Sequence, residues 1–117
     1  MIDAEFFWIY MLRCSNNTYY TGYTNNLKKR YKSHIDGTGK CKYTKSFKPL
    51  EIAQCWKIYD SKAKAMQIER EIKKLSRLEK EKLIITPSLL LDYSIEIVSN
   101  IELMALNKDV RRGSTFT

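Results

Sequence analysis

Tyr10, Tyr20 and Arg30 follow one another at ten-residue intervals, His34 lies four residues beyond Arg30, and Glu69 comes in the second half of the chain. Each of these types has a use at a phosphate ester. Hydrolysis there needs an activated water, neutralisation of the phosphate charge, and help for the departing oxygen. Arginine is a permanent planar cation that holds phosphate oxygens in a bidentate grip. Glutamate is a hard oxygen ligand suited to Mg²⁺, which keeps several waters and takes the rest of its shell from substrate. His34, the only histidine, belongs to the residue type that shuttles protons near neutrality. A free phenol, with a pKa of roughly 10, acts as a base only when a metal or cation assists it.

The same residues have plainer uses. Glu69 stands four positions before Lys73, a spacing that by itself favours a surface ion pair, and Glu71 is a competing carboxylate. Arg30 is one of several cations in its segment. With eight tyrosines in the chain, Tyr10 and Tyr20 could serve only to pack a sheet.

Charge narrows the choice. The net charge is +8, and it is uneven. Residues 1–85 hold 18 Lys and Arg against 9 Asp and Glu, and residues 86–117 hold 3 against 4. Lys28, Lys29, Arg30, Lys32, Lys40, Lys42, Lys45 and Lys48 crowd one stretch beside a single acid, Asp36. Such a field attracts polyanions. Tyr43 and Lys45 within it suit stacking on bases and pairing with phosphates. An apolar fraction of 44% with 29% charged residues is that of a globular domain, and no apolar run is long enough for a bilayer. No secretory leader pattern opens the sequence. Cys14, Cys41 and Cys55 form no CxxC pair and leave an odd count, against a zinc site or a disulfide framework. A reducing, cytoplasmic location is expected, with no membrane partner.

The positioning elements read as follows. Residues 6–14 and 18–22, joined by Ser15-Asn16-Asn17, predict a hairpin. Thr24 or Asn25 caps a helix in which Leu27, Tyr31 and Ile35 share the packing face, with Arg30 and His34 paired on an adjacent one. Residues 36–48 read as a basic loop. Glu51–Tyr59 is a third strand. Asp60 or Ser61 caps a helix to Leu75 with an Ala65, Ile68, Ile72, Leu75 stripe, and Ser76 with Glu79 forms a capping box for a helix over 77–85. Pro87 stops it. Beyond lies a stretch whose apolar residues fit both a strand over 89–97 and a helical period, then a short helix from Asn100 to Leu106. Residues 111–117 carry no sign of regular structure.

Trp8-Ile9-Tyr10, Tyr20-Thr21-Gly22, the Asn26-to-Arg30 segment with His34, and the helix from Gln67 to Leu75 together resemble the GIY-YIG nuclease superfamily. The resemblance is nearest to its small stand-alone bacterial members, to which Lys42-Tyr43-Thr44-Lys45-Ser46-Phe47 is also similar. It spans about residues 6–85. It implies Glu69 as the metal ligand, Arg30 as the phosphate clamp, Tyr10 helping to activate water and Tyr20 orienting water or phosphate. His34 would share proton transfer with Tyr10 or hydrogen-bond a phosphate. Gly22 would let the backbone turn and the substrate approach closely. Two positions depart from the pattern: Trp8 replaces the first glycine, and Tyr23 stands where some relatives carry a lysine.

The expectation is therefore an α/β (α+β) domain over residues 1–85, with a three-stranded antiparallel sheet flanked by helices, and a C-terminal extension over 86–117. Its activity would be Mg²⁺- or Mn²⁺-dependent endonucleolytic hydrolysis of DNA, structure-selective for branched, flapped or damaged sites and linked to repair or recombination. Two alternatives are a non-catalytic nucleic-acid-binding module, and an accessory subunit meeting a protein partner through the extension.

Overall fold

The structure, a computed structural model, describes residues 5–39 and 41–116. Strands β1 (Phe7–Cys14), β2 (Tyr19–Thr24), β3 (Pro49–Ile58) and β4 (Ile95–Ile97) form one antiparallel sheet in the order β2-β1-β3-β4. The sheet thus has four strands rather than the three expected. The fourth is only three residues long, pairing Ile95 with Ile58 and Ile97 with Trp56, in the segment where the apolar residues satisfied two periods at once.

β1 is central, and helices cover both faces. Ile9, Met11, Trp56 and Ile58 pack under α3 (Lys62–Lys73) and α4 (Arg77–Ile85) with Ala65, Ile68, Ile72 and Leu83. On the opposite face Tyr10, Leu12 and Cys14 pack with Leu27 and Tyr31 of α1 (Leu27–Asp36) and Leu106 of α5 (Asn100–Phe116). Alternate residues of one strand therefore serve two cores, because side chains on a strand point to opposite faces in turn.

Local chemistry sets the helix ends. Asn26, not Thr24 or Asn25, caps α1 by accepting from the Lys29 amide, and Gly37 ends it at φ 69°, where a residue without Cβ is favoured. Ser61 caps α3, and the Ser76–Glu79 capping box starts α4. Within the stretch expected as a loop, Lys42–Ser46 closes into a short helix, α2, whose one buried residue is Thr44.

After α4 come a single 3-10 turn (Pro87–Leu89), β4 and α5. Ser99 accepts from the Glu102 amide at the start of α5, one residue ahead of the cap expected at Asn100. The α5 backbone continues through Arg111–Phe116, where the sequence predicts no regular structure, and Thr117 lies outside the described residues. Val98 and Leu106 are buried in the same core as Tyr10. Cys14, Cys41 and Cys55 are buried free thiols. Among the described residues no helix is long and apolar enough to cross a membrane.

Candidate active site

Tyr10 sits in the buried centre of β1, 1% exposed, directly across the ladder from Gly22 in β2. β2 is an edge strand of the sheet, with α1 over one face and α3 over the other. An open cleft of about 530 Å³ at this edge is lined by Tyr10, Tyr20, Gly22, Arg30, Lys62 and Glu69, with Phe7 and Tyr23 to Asn25. Two neighbouring strands and two helices thus bring Tyr10, Tyr20, Arg30 and Glu69 to one surface. Gly22 lies inside β2, which runs on to Thr24, and not at a strand end as expected.

His34 does not line the cleft. It is buried on α1 behind Tyr10, 1% exposed, with Nε2 2.9 Å from the Tyr10 hydroxyl and Nδ1 2.6 Å from the Thr44 hydroxyl. Tyr20 lies tilted against His34, with ring centroids 5.0 Å apart, and stacks on Tyr43 at 6.0 Å and 26°. The Tyr43 hydroxyl is tied to Asn16 and Thr18 in the β1–β2 turn, and Phe47 packs against its ring. Tyr43 is consequently an exposed wall beside the site. Lys45, on the outside of α2, stands apart from the cleft lining.

Electrostatics differ sharply within these few residues. Burial, reinforced by Tyr20, pushes the Tyr10 phenol well above its ordinary value, and the nearby Arg30 guanidinium only partly offsets this. Burial, with Arg30 adding to it, lowers His34 to about 4, so the ring is neutral at pH 7. Burial opposes the Arg30 charge most, but Tyr10, Cys41 and Tyr20 together outweigh it and Arg30 is held above its ordinary value. A neutral acid–base pair thus lies behind a fixed cation.

Glu69 pairs with Lys73 at 3.6 Å, as the spacing alone suggested, and it also faces the cleft. The two readings are compatible, because the Glu69 side chain is largely covered while Lys73 is half exposed. No group of three or more His, Cys, Asp or Glu that could hold a metal occurs among the described residues. Among the described residues Glu69 is the one carboxylate lining the cleft. A lone hard oxygen donor facing open space fits Mg²⁺, which retains waters and binds substrate phosphate, and fits a soft-ligand metal poorly.

Two residues escaped the sequence reading. Lys62 lies seven positions before Glu69 on the same helical face and reaches the cleft, a spacing that was available in the sequence. Thr44 contacts His34 from a separate element, and no local period announces that.

A hairpin and two helices that bring two tyrosines, an arginine and a glutamate to one cleft suit a domain of the nuclease class. Residues 6–82 match the GIY-YIG catalytic domain, and the chain belongs to that family. A nuclease of that family would act on DNA. A UPF0213 protein of Natronomonas pharaonis is 46% identical over 77 residues, covering 66% of this chain and 88% of the relative. The UPF0213 protein YazA of Bacillus subtilis is 46% identical over 72 residues, covering 62% and 71%. The solution structure of the UPF0213 protein BH0048 from Bacillus halodurans aligns with a TM-score of 0.44 and 39% identity, over 68% of this chain and 83% of that one.

Proposed function

We propose that the protein is a divalent-metal-dependent endonuclease that hydrolyses DNA at branched, flapped or damaged positions in repair or recombination. The observation that carries this reading is the facing of Tyr10, Tyr20, Arg30 and Glu69 into one cleft, with His34 bonded to Tyr10 from behind.

Each residue has a distinct part. Arg30 grips the scissile phosphate through its donors. Tyr20 orients the attacking water. That water gives a proton to the Tyr10 oxygen as Tyr10 passes its own to His34 Nε2. The water oxygen bonds to phosphorus, the ester P–O bond breaks, and the departing oxygen is protonated from solvent. Tyr10 stays neutral throughout, which suits a phenol whose ionisation burial opposes. Glu69 would hold Mg²⁺ or Mn²⁺, which supplies charge neutralisation at the phosphate and a more acidic water. Gly22 leaves room for Tyr10 beside the substrate, and Tyr43 and Lys45 contact the strand outside the cleft. Selectivity for structure over sequence follows from a cleft that offers cations and hydroxyls but no element for reading base edges. The three free thiols suit a reducing cytoplasm.

The test is cleavage of labelled branched, flapped, nicked and intact duplex DNA in Mg²⁺ or Mn²⁺. Wild type should cut, and Glu69→Ala and Tyr10→Phe should fall by 10² or more, as expected for loss of a metal ligand or a proton-transfer group (about 10²–10⁴). Binding that survives both substitutions without cleavage under either metal would instead identify a non-catalytic module. Cleavage only with an added partner would identify an accessory subunit.

A further inference from the structure

The hydrogen-bonded chain behind the cleft does not stop at His34. The Thr44 hydroxyl lies 2.6 Å from His34 Nδ1 and 3.4 Å from the carbonyl oxygen of Cys41. A carbonyl can only accept, so the Thr44 proton is directed to Cys41 and the Thr44 oxygen is left to accept from Nδ1–H. The other end of the chain leads to the same arrangement. The Arg30 charge acts on the Tyr10 oxygen and a guanidinium cannot accept a hydrogen bond, so of these two neighbours only His34 can take the Tyr10 proton. The Tyr10 proton is then directed to His34 Nε2, 2.9 Å away. Both ends select an imidazole with hydrogen on Nδ1 and a free lone pair on Nε2.

We propose that Thr44 is a positioning residue that fixes His34 in the Nδ1–H tautomer and so presents an unprotonated Nε2 to the Tyr10 hydroxyl. The arrangement of α2 is consistent with this task. Its lysines and its tyrosine are exposed, and Thr44 is its one buried side chain, 1% exposed. The Cys41 carbonyl that orients Thr44 also accepts from the Lys45 amide at 2.9 Å, so the anchor is part of the helix itself. In the opposite tautomer Nε2–H would compete with Arg30 for the Tyr10 oxygen and could take no proton. The inference rests on reading the cleft as a nuclease site only for its consequence. There, the Tyr10 O–H bond breaks as the Nε2–H bond forms, the water proton replaces the one lost from Tyr10, and Nδ1–H remains bonded to Thr44.

His34 is the only histidine, so NMR of protein labelled at histidine nitrogens reports a single ring. Wild type should show a protonated Nδ1 and an unprotonated Nε2. Thr44→Val, which keeps the shape and removes the hydroxyl, should lose that pattern, and Thr44→Ser should retain it. Tyr10→Phe should move the Nε2 resonance and leave Nδ1 protonated. Cleavage should fall about 10²- to 10⁴-fold in Thr44→Val, the span of general acid–base assistance, and stay near wild type in Thr44→Ser. A protonated Nε2 in wild type, or a ring unchanged in Thr44→Val, would overturn the proposal. The wild-type spectrum alone decides the tautomer if Thr44→Val does not fold. If no form cleaves DNA but the ring responds as described, the positioning role stands and the nuclease reading fails.

Discussion

Gly22 faces Tyr10 so closely that a Cβ built on it would lie 2.5 Å from the Tyr10 hydroxyl oxygen and 2.7 Å from Cζ. The glycine is therefore required by the tyrosine rather than by a turn. In Gly22→Ala the Tyr10 ring must move, and its hydroxyl is held by His34. Overpacking of a filled site costs about 1–3 kcal/mol. A displacement near 1 Å at a reacting group costs on the order of 10²-fold in rate. Thermal melting and cleavage assays on the same preparation check both. Lost stability with intact cleavage would mean that Tyr10 packs the sheet and takes no part in the chemistry.

What the sequence made legible was governed by local periods and caps. Alternation along β1, the Leu27/Tyr31 and Ala65/Ile68/Ile72 faces, and the Ser76–Glu79 box each involve residues a few positions apart. They placed Tyr10 and Tyr20 on paired strands, Arg30 on the first helix and Glu69 on the helix after the third strand. That the four share one site was implied only by the resemblance to the GIY-YIG superfamily. What the sequence hid depends on distant pairing. β4 is too short for its alternation to stand out from a helical period, and its place is set by β3. β3 itself bulges, since Met11 pairs with Gln54 while Leu12 pairs with Ile52. The burial of His34 was hidden because Thr44, ten positions on, gives no periodic sign of covering it.

Lys62 lies two helical turns before Glu69, a rise of about 10.5 Å along α3, which suits a phosphate flanking the scissile one. Among the described residues it makes no ion pair. Lys62→Ala should raise KM with little change in kcat and should reduce the salt dependence of binding by about one unit in the log–log slope. Lys62→Arg should restore both. Titrations over a range of salt concentration read this directly. A fall in kcat at unchanged KM would move Lys62 from substrate grip to the reacting centre.

The buried His34 makes stability depend on pH in a defined direction. Its pKa is lowered from an ordinary 6.5 to about 4 in the folded chain. Between those values the unfolded chain binds more protons, so stability is full above about 6.5 and falls as pH drops toward 4. The loss from this one group is on the order of 3 kcal/mol. Arg30 and Tyr10 beside it are both held above their ordinary values and keep their charge states across that window. Urea denaturation from pH 7.5 to 4.5 should show the decline in wild type and a flatter profile in His34→Gln. Parallel profiles would mean that His34 becomes protonated in the folded protein without penalty.

The C-terminal segment can be tested through Asn107. From α5 its side chain accepts from the Ile52 amide at 2.7 Å and donates to the Ile52 carbonyl at 3.1 Å, beside the β3 bulge where regular ladder pairing is interrupted. Asn107→Ala leaves both backbone groups of a buried residue without their partner, at a cost of about 1–3 kcal/mol. Truncation after Ile85 removes in addition Val98 and Leu106, which pack in the core containing Tyr10. That loss should both broaden the unfolding transition and lower cleavage, because the strand carrying Tyr10 loses part of its support. Denaturation curves for the full chain, Asn107→Ala and the truncated form should therefore rank in that order of stability. A truncated form as stable and as active as the full chain would reverse the conclusion, making residues 86–117 a docking tail for a partner rather than a layer of this fold.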